Sequence, residues 1–229
     1  MGLVASSGSD NDDLVDKLVE ADIVYSHGIE TALRLVDRRR FFPSEGKEVA
    51  YRDMAWKSET GCPGRIHISA PCIYGNVLEC LKLENGNSFL NIGSGTGYLN
   101  TIAGYLLGST GKNHGIELHD NVVHYARELV AETSLLPETQ CFEWATPIFT
   151  CGNGLYLNPV HNFKYDRVYC GATVPESHRR ILWDLLKIGG ILVMPYNDQF
   201  TISYRCIHSQ QHSNCSEKTA DDLYSKSCI

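Results

Sequence analysis

The chain has 229 residues, of which 43% are hydrophobic and 21% charged, enough for one well-buried domain and too few for two. Its formal charge of −7 and pI near 5.7 exclude a nucleic-acid partner held through phosphates, and the triplet Arg38, Arg39 and Arg40 is too short to make a basic face. Nine cysteines without a CxxC pair predict reduced thiols, and nine histidines without ligand spacing predict no metal site.

In chain order, residues 1–12 are expected to form a flexible tail. Its start, MGLVAS, fits the N-myristoylation pattern, with Gly2 exposed once the methionine is removed and Ser6 at the required place. A single acyl chain would hold only weakly to a membrane. No apolar run reaches membrane-spanning length, and the opening is acidic where a secretory signal is basic, so a cytoplasmic protein is expected. Asp12 and Asp13 open an amphipathic helix with Leu14, Leu18 and Ala21 at helical spacing. A second helix is predicted over 29–38, with the arginine triplet as its solvated end. The polar stretch 43–64 reads as loop, and 13–64 together as a helical cap before a core over 65–206.

Strands and helices then alternate. Strands are predicted over 88–92, 114–117, 142–145, 167–171 and 191–195, with helices to 107, over 121–132 and over 179–186. Such alternation specifies parallel strands with right-handed crossovers, a doubly wound α/β sheet of Rossmann-like type whose ligands sit beyond the carboxyl ends of the strands. Only 200–207 reads as a further strand. The polar remainder, 207–229, is expected to be disordered, which leaves an incomplete C-terminal edge.

The segment FLNIGSGTGYL, Phe89 to Leu99, joins an apolar strand to a glycine turn and a helix. Gly93, Gly95 and Gly97 can adopt backbone angles closed to other residues and let the main chain approach a ligand, toward which the following helix points its free amides. Twenty residues past Gly97 stands Glu117, whose carboxylate can accept from both hydroxyls of a ribose. Tyr98 occupies the place where a dinucleotide fingerprint needs glycine, so the pattern favours S-adenosyl-L-methionine over NAD. Asn91 stands where the first strand of such enzymes usually carries an acid.

These segments resemble the protein-L-isoaspartate O-methyltransferase family, and within it the branch of domain-containing proteins. The blocks that carry the likeness are DNDDL, AWK at 55–57, HISAPCIY from His67 to Tyr74, FLNIGSGTGYL, NHGIELH from Asn113 to His119, YDRVYCGA from Tyr165 to Ala172, and LKIGGILVMP from Leu185 to Pro195. The resemblance implies a class I S-adenosylmethionine-dependent methyltransferase fold and methyl transfer to the carboxylate of damaged aspartyl residues in isoaspartyl proteins or peptides. It implies that Ser69 takes part in catalysis, that Asn91, Gly93, Ser94, Gly95, Thr96 and Gly97 hold the methionine part of the cofactor, and that Glu117 holds its ribose. The family's GDG block is here Gly152, Asn153 and Gly154, so Asn153 would meet the adenine amino group through its amide oxygen. From the residues alone, Ser69 before Ala70 and Pro71 also reads as a helix cap, and the Asn153 turn as a plain glycine turn. The resembled branch implies an alternative, a cofactor-binding recognition module of elongin and cullin ubiquitin ligases, although no ligase box stands in this chain.

Overall fold

The computed structural model describes residues 7–58, 65–157, 163–172, 174–196, 199–204 and 218–219. The first helices are α1 (Asn11–Glu20) and α2 (His27–Leu35), followed by 3-10 turns at Arg38–Phe41 and Ser44–Val49 and a small hairpin, β1 (Trp56–Ser58) with β2 (Ile66–Ile68). Then come α3 (Pro71–Leu81), β3 (Ser88–Ile92), α4 (Tyr98–Leu107), β4 (Lys112–Glu117), α5 (Asp120–Ser134), α6 (Pro137–Gln140) and β5 (Ile148–Cys151). The chain continues through β6 (Tyr165–Cys170), α7 (Glu176–Asp184), β7 (Leu186–Tyr196), β8 (Gln199–Tyr204) and β9 (Lys218–Thr219).

β3 is buried at every position, as a central strand covered on both faces must be. The sheet order is β5-β4-β3-β6-β7-β8-β9, with β3 to β7 parallel and the last two strands antiparallel. Side chains alternate across it with period two. Phe89, Tyr169, Ile191 and Val193 pack on one face with residues of α1 to α4, while Leu90, Ile92, Val168 and Leu192 pack on the other with Leu182 of α7. Because the chain leaves β3 toward β4 and β5 and returns to β6 on its other side, the crevice between β4 and β6 opens above the carboxyl end of β3.

The termini of several elements differ from the sequence prediction. Part of the expected tail is structured, since Asp10 caps α1 and Gly8 N–H donates to Tyr51 O at 2.8 Å. α2 ends at Leu35, and Arg38 is no solvated helix end: it is 0% exposed, in the turn that follows. Its cap is not local either, because Ser26 makes no side-chain cap bond and Glu79 of α3 accepts instead from Tyr25 N, Ser26 N and Ser26 Oγ. The predicted loop over 43–64 contains a 3-10 turn and β1. Phe142–Ala145 is not a strand; the edge strand lies at Ile148–Cys151, where it pairs His114 with Ile148 and Glu117 with Cys151. β7 starts earlier than predicted, carrying an irregularity at Gly189 (φ 79°). At the C-terminal edge β9 pairs with β8 through Thr201 and Ile202, so a seventh strand is present; the rest of the predicted tail over 207–229 lies outside the described residues.

Candidate functional site

The turn after β3 is shaped by three left-handed glycines, Gly93 (φ 81°), Gly95 (φ 53°) and Gly97 (φ 83°). Gly93 N–H and Ser94 N–H both donate to Ile116 O, at 2.8 and 3.0 Å, which pins the turn to the end of β4. The glycines divide the work. A Cβ on Gly93 would meet nothing within 4 Å, so that residue presents backbone to open space, whereas one on Gly95 would come to 3.4 Å from His67 O. A Cβ on Gly97 would instead reach 2.7 Å from Phe149 Cζ, so that glycine lets the Phe149 ring of β5 pack against the start of α4.

Glu117 ends β4 with its carboxylate held by main chain: Oε2 accepts from Gly95 N–H at 3.0 Å, and Oε1 from Leu118 N–H and His119 N–H at 2.8 and 3.2 Å. An ionised carboxylate has about four acceptor sites, so one remains for a ligand hydroxyl. Gly93, Gly95 and Glu117 form one wall of a cavity of about 490 Å³, and Lys57, Arg65 and His67 of the β1–β2 hairpin form the facing wall.

A smaller cavity of about 30 Å³ adjoins it, lined by Ser69, Tyr74, Asn91, Ser94 and Tyr169; the two share His67, Gly93 and Gly171. Asn91 and Ser94 are 2% and 6% exposed, and Asn91 Oδ1 and Ser94 Oγ have no hydrogen-bond partner among the described residues. Two buried acceptors without partners at a cavity wall are costly unless a ligand or water meets them.

Ser69 does not cap α3. The N-cap is Ala70, with Pro71 in the first turn, and the amide of Cys72 is served by Asp53 Oδ1 at 2.8 Å. Ser69 is held at three points instead. Its N–H donates to Tyr74 Oη at 3.2 Å, its side chain lies beside the same hydroxyl, and its carbonyl accepts from Arg38 Nη2 at 2.7 Å. Arg38 also donates through Nε to Ala50 O at 2.9 Å, and its guanidinium carbon lies 5.1, 5.7 and 5.5 Å from the ring centres of Phe42, Tyr74 and Tyr98. An aromatic cage of this kind replaces part of the solvation that burial removes. Burial still lowers the guanidinium's pKa, and it raises those of Tyr74 and Tyr98, so both phenols stay neutral.

Asn153 is exposed and starts a 3-10 turn at Gly154–Tyr156, its Oδ1 accepting from Leu155 N–H at 3.0 Å. Gly154 is required by packing, since a Cβ there would sit 2.4 Å from Ile92 Cγ2. Thus Gly93, Gly95 and Glu117 meet in the larger cavity and Ser69, Asn91, Gly93 and Ser94 in the smaller, whereas Thr96, Gly97 and Asn153 line neither. Gly2 lies outside the described residues. A separate hollow of about 560 Å³, lined by Ser7, Arg39, Lys47 and Arg52, shares no residue with these two cavities.

His67 was not singled out by the sequence, although it borders both cavities. The signal was present in IHI, where Ile66 and Ile68 are buried and the residue between them must face the other way. Burial, then Lys57, lowers its pKa, so the imidazole is neutral at pH 7. Among the described residues no three His, Cys, Asp or Glu side chains gather to hold a metal ion, and no helix is long and apolar enough to cross a membrane.

Comparison with known proteins gives a consistent result. The family described as Protein-L-isoaspartate(D-aspartate) O-methyltransferase matches residues 9–224. A protein-L-isoaspartate O-methyltransferase of Methanococcus vannielii is 30% identical over 203 residues, covering 86% of this chain and 88% of that protein. One from Methanococcus maripaludis is 26% identical over 199 residues, covering 86% and 87%. A Plasmodium falciparum structure, described as a protein-L-isoaspartate O-methyltransferase in complex with S-adenosyl-L-homocysteine, superposes with a TM-score of 0.68 at 20% identity, over 85% of this chain and 88% of that one, and shows the fold.

Proposed function

Because the chain belongs to the protein-L-isoaspartate(D-aspartate) O-methyltransferase family, we propose that it transfers the methyl group of S-adenosyl-L-methionine to the carboxylate of isoaspartyl residues in damaged proteins. The observation that carries the reading is the junction at Gly93 and His67, where a glycine-walled cavity meets the one that holds Ser69. An adenosyl cofactor suits the residues there: backbone without side chains at Gly93 and Gly95, a carboxylate with acceptor capacity at Glu117, and unpartnered acceptors at Asn91 and Ser94.

When bound, the cofactor supplies an electrophilic methyl group. In the proposal, Asn91, Gly93, Ser94 and Gly95 hold its methionine part, with Thr96 and Gly97 keeping the turn in shape from beneath. Glu117 takes the ribose, and Asn153 offers its second lone pair to the adenine amino group. The free carboxyl of an isoaspartyl residue is its α-carboxyl, with a pKa of about 3.5, so it is ionised at neutral pH, attacks without first losing a proton and requires no general base. What the chain supplies is alignment and exclusion of water, effects worth on the order of 7 to 11 kcal/mol in favourable cases. Ser69 orients the carboxylate by donating its hydroxyl proton into a hydrogen bond. Attack of the neighbouring backbone nitrogen on the methyl ester then expels methanol and forms a succinimide, which hydrolyses in part to normal aspartate.

The test is transfer of labelled methyl to an isoaspartyl peptide against its aspartyl twin. Ser69→Ala should lower transfer by about 10- to 100-fold, the worth of a hydrogen bond to a charged group, with cofactor affinity unchanged. Equal labelling of the two peptides would overturn the substrate assignment. The comparisons give the ligase-adaptor alternative no support. We also propose that the protein is cytoplasmic and, from its MGLVAS pattern, myristoylated at Gly2, a modification that Gly2→Ala should abolish as read by incorporated alkynyl myristate.

A further inference from the structure

Beneath the smaller cavity three asparagines, Asn91 on β3, Asn100 on α4 and Asn113 on β4, are 2%, 0% and 2% exposed. Which way each amide faces is fixed by partners that can only accept. Asn113 Nδ2 lies 2.7 Å from Asn100 O and 3.0 Å from Ala145 O, two backbone carbonyls, so the nitrogen must be on that side and Asn113 Oδ1 on the other. Asn113 Oδ1 therefore accepts from Asn100 Nδ2 at 2.8 Å, and the same nitrogen donates to His114 O at 3.2 Å. Asn100 Oδ1 is left facing Asn91 and can take only a donor, which Asn91 Nδ2 provides at 2.7 Å. The last amide in the row is thus turned so that its Oδ1, which has no partner among the described residues, is left for the cavity that Asn91 lines.

We propose that Asn91, oriented by this relay of Asn100 and Asn113, is a cofactor-positioning residue that presents a fixed, uncharged acceptor to the ammonium group at the amino-acid end of the methyl donor. The proposal rests on the cofactor reading above. It accounts for the amide at position 91: a carboxylate there would set an oxygen against Asn100 Oδ1 with no proton between them, and turning Asn100 over would break its bonds to Asn113 and His114. Neither Asn100 nor Asn113 lines either cavity, and of the three asparagines only Asn91 does.

Calorimetry on the full chain with two ligands tests this. S-adenosyl-L-homocysteine carries the amino-acid end, and 5′-methylthioadenosine lacks it. Asn100→Leu and Asn113→Leu should weaken S-adenosyl-L-homocysteine about tenfold or more and leave 5′-methylthioadenosine unchanged. Unchanged affinity for the first ligand, or equal weakening of both, overturns the relay. Asn91→Asp gives a second measurement with an opposite simple expectation, since charge attraction alone predicts tighter binding of the ammonium. The relay predicts that Asn91→Asp binds S-adenosyl-L-homocysteine no more tightly than the natural protein, and a gain in affinity overturns it. If the natural protein bound neither ligand, the cofactor reading itself would fall, and that result is distinct from a variant that loses only one.

Discussion

At Gly95 two constraints coincide: a φ of 53°, which favours glycine, and the His67 carbonyl 3.4 Å from where a Cβ would stand. Gly95→Val should therefore weaken binding of S-adenosyl-L-homocysteine by at least about tenfold, or ~1.4 kcal/mol, with a stability loss on the order of 1 to 3 kcal/mol. Titration calorimetry together with a denaturant melt separates the two effects, and unchanged affinity would remove Gly95 from the site. The glycines and Glu117 were legible in the sequence because their geometry is local, a turn between one strand and one helix and a residue at the end of the next strand. Arg38 was not. Three arginines in a row read as a solvated end, and what buries the first of them is a cage of Phe42, Tyr74 and Tyr98, the last of which is brought in only by the tertiary fold. Tyr74 and His67 stand in the same block as Ser69, and although the IHI alternation turns His67 away from the core, the fold is what brings it to the glycine turn.

Among the elements, β3, β6 and β7 are joined at their amino-terminal ends by one carboxylate. Asp166 Oδ2 accepts from Ser88 N, Ser88 Oγ and Lys187 Nζ at 2.8, 2.6 and 2.8 Å. Burial pushes this carboxyl's pKa up, but Lys187 and Ser88 outweigh it and hold the pKa below its usual 3.8. A depressed pKa means that the contribution is complete above the unfolded value and is lost as pH falls from about 3.8 through the folded value. Asp166→Asn should lower the urea midpoint at pH 7 and narrow its gap to the natural protein near pH 3; a constant gap would show that the ion pair contributes nothing. The long parallel strands were legible as apolar runs at regular spacing, whereas β1, β2 and β9 have two or three residues each, too short for a period to declare itself. Phe142–Ala145 misled because its aromatics suit a strand, yet Trp144 is used to stack on Tyr105 at 5.1 Å, and the paired residues begin at Ile148.

For the molecule as a whole, the N-terminal helices are continuous with the core: residues of α1 and α2 share one apolar cluster with α3, α4 and the sheet, and Arg38 reaches from the turn after α2 to Ser69. Lys57 and Arg65 stand at the cleft of a chain whose net charge is −7, and among the described residues neither enters an ion pair. An approaching acidic peptide consequently feels opposite forces at different ranges. In about 0.01 M salt, where screening extends to roughly 30 Å, it is repelled by the whole protein; at ~0.15 M, where the range is about 8 Å, it senses chiefly the cleft, where Lys57 and Arg65 outnumber Glu117. Near 1 M, with a range of about 3 Å, even these are muted. KM for an anionic isoaspartyl peptide should therefore pass through a minimum at intermediate ionic strength, and a steady rise or fall across a salt series would deny the hairpin that part. Cellular salt would then itself select which damaged proteins reach the cleft, favouring those whose lesion sits among other acids.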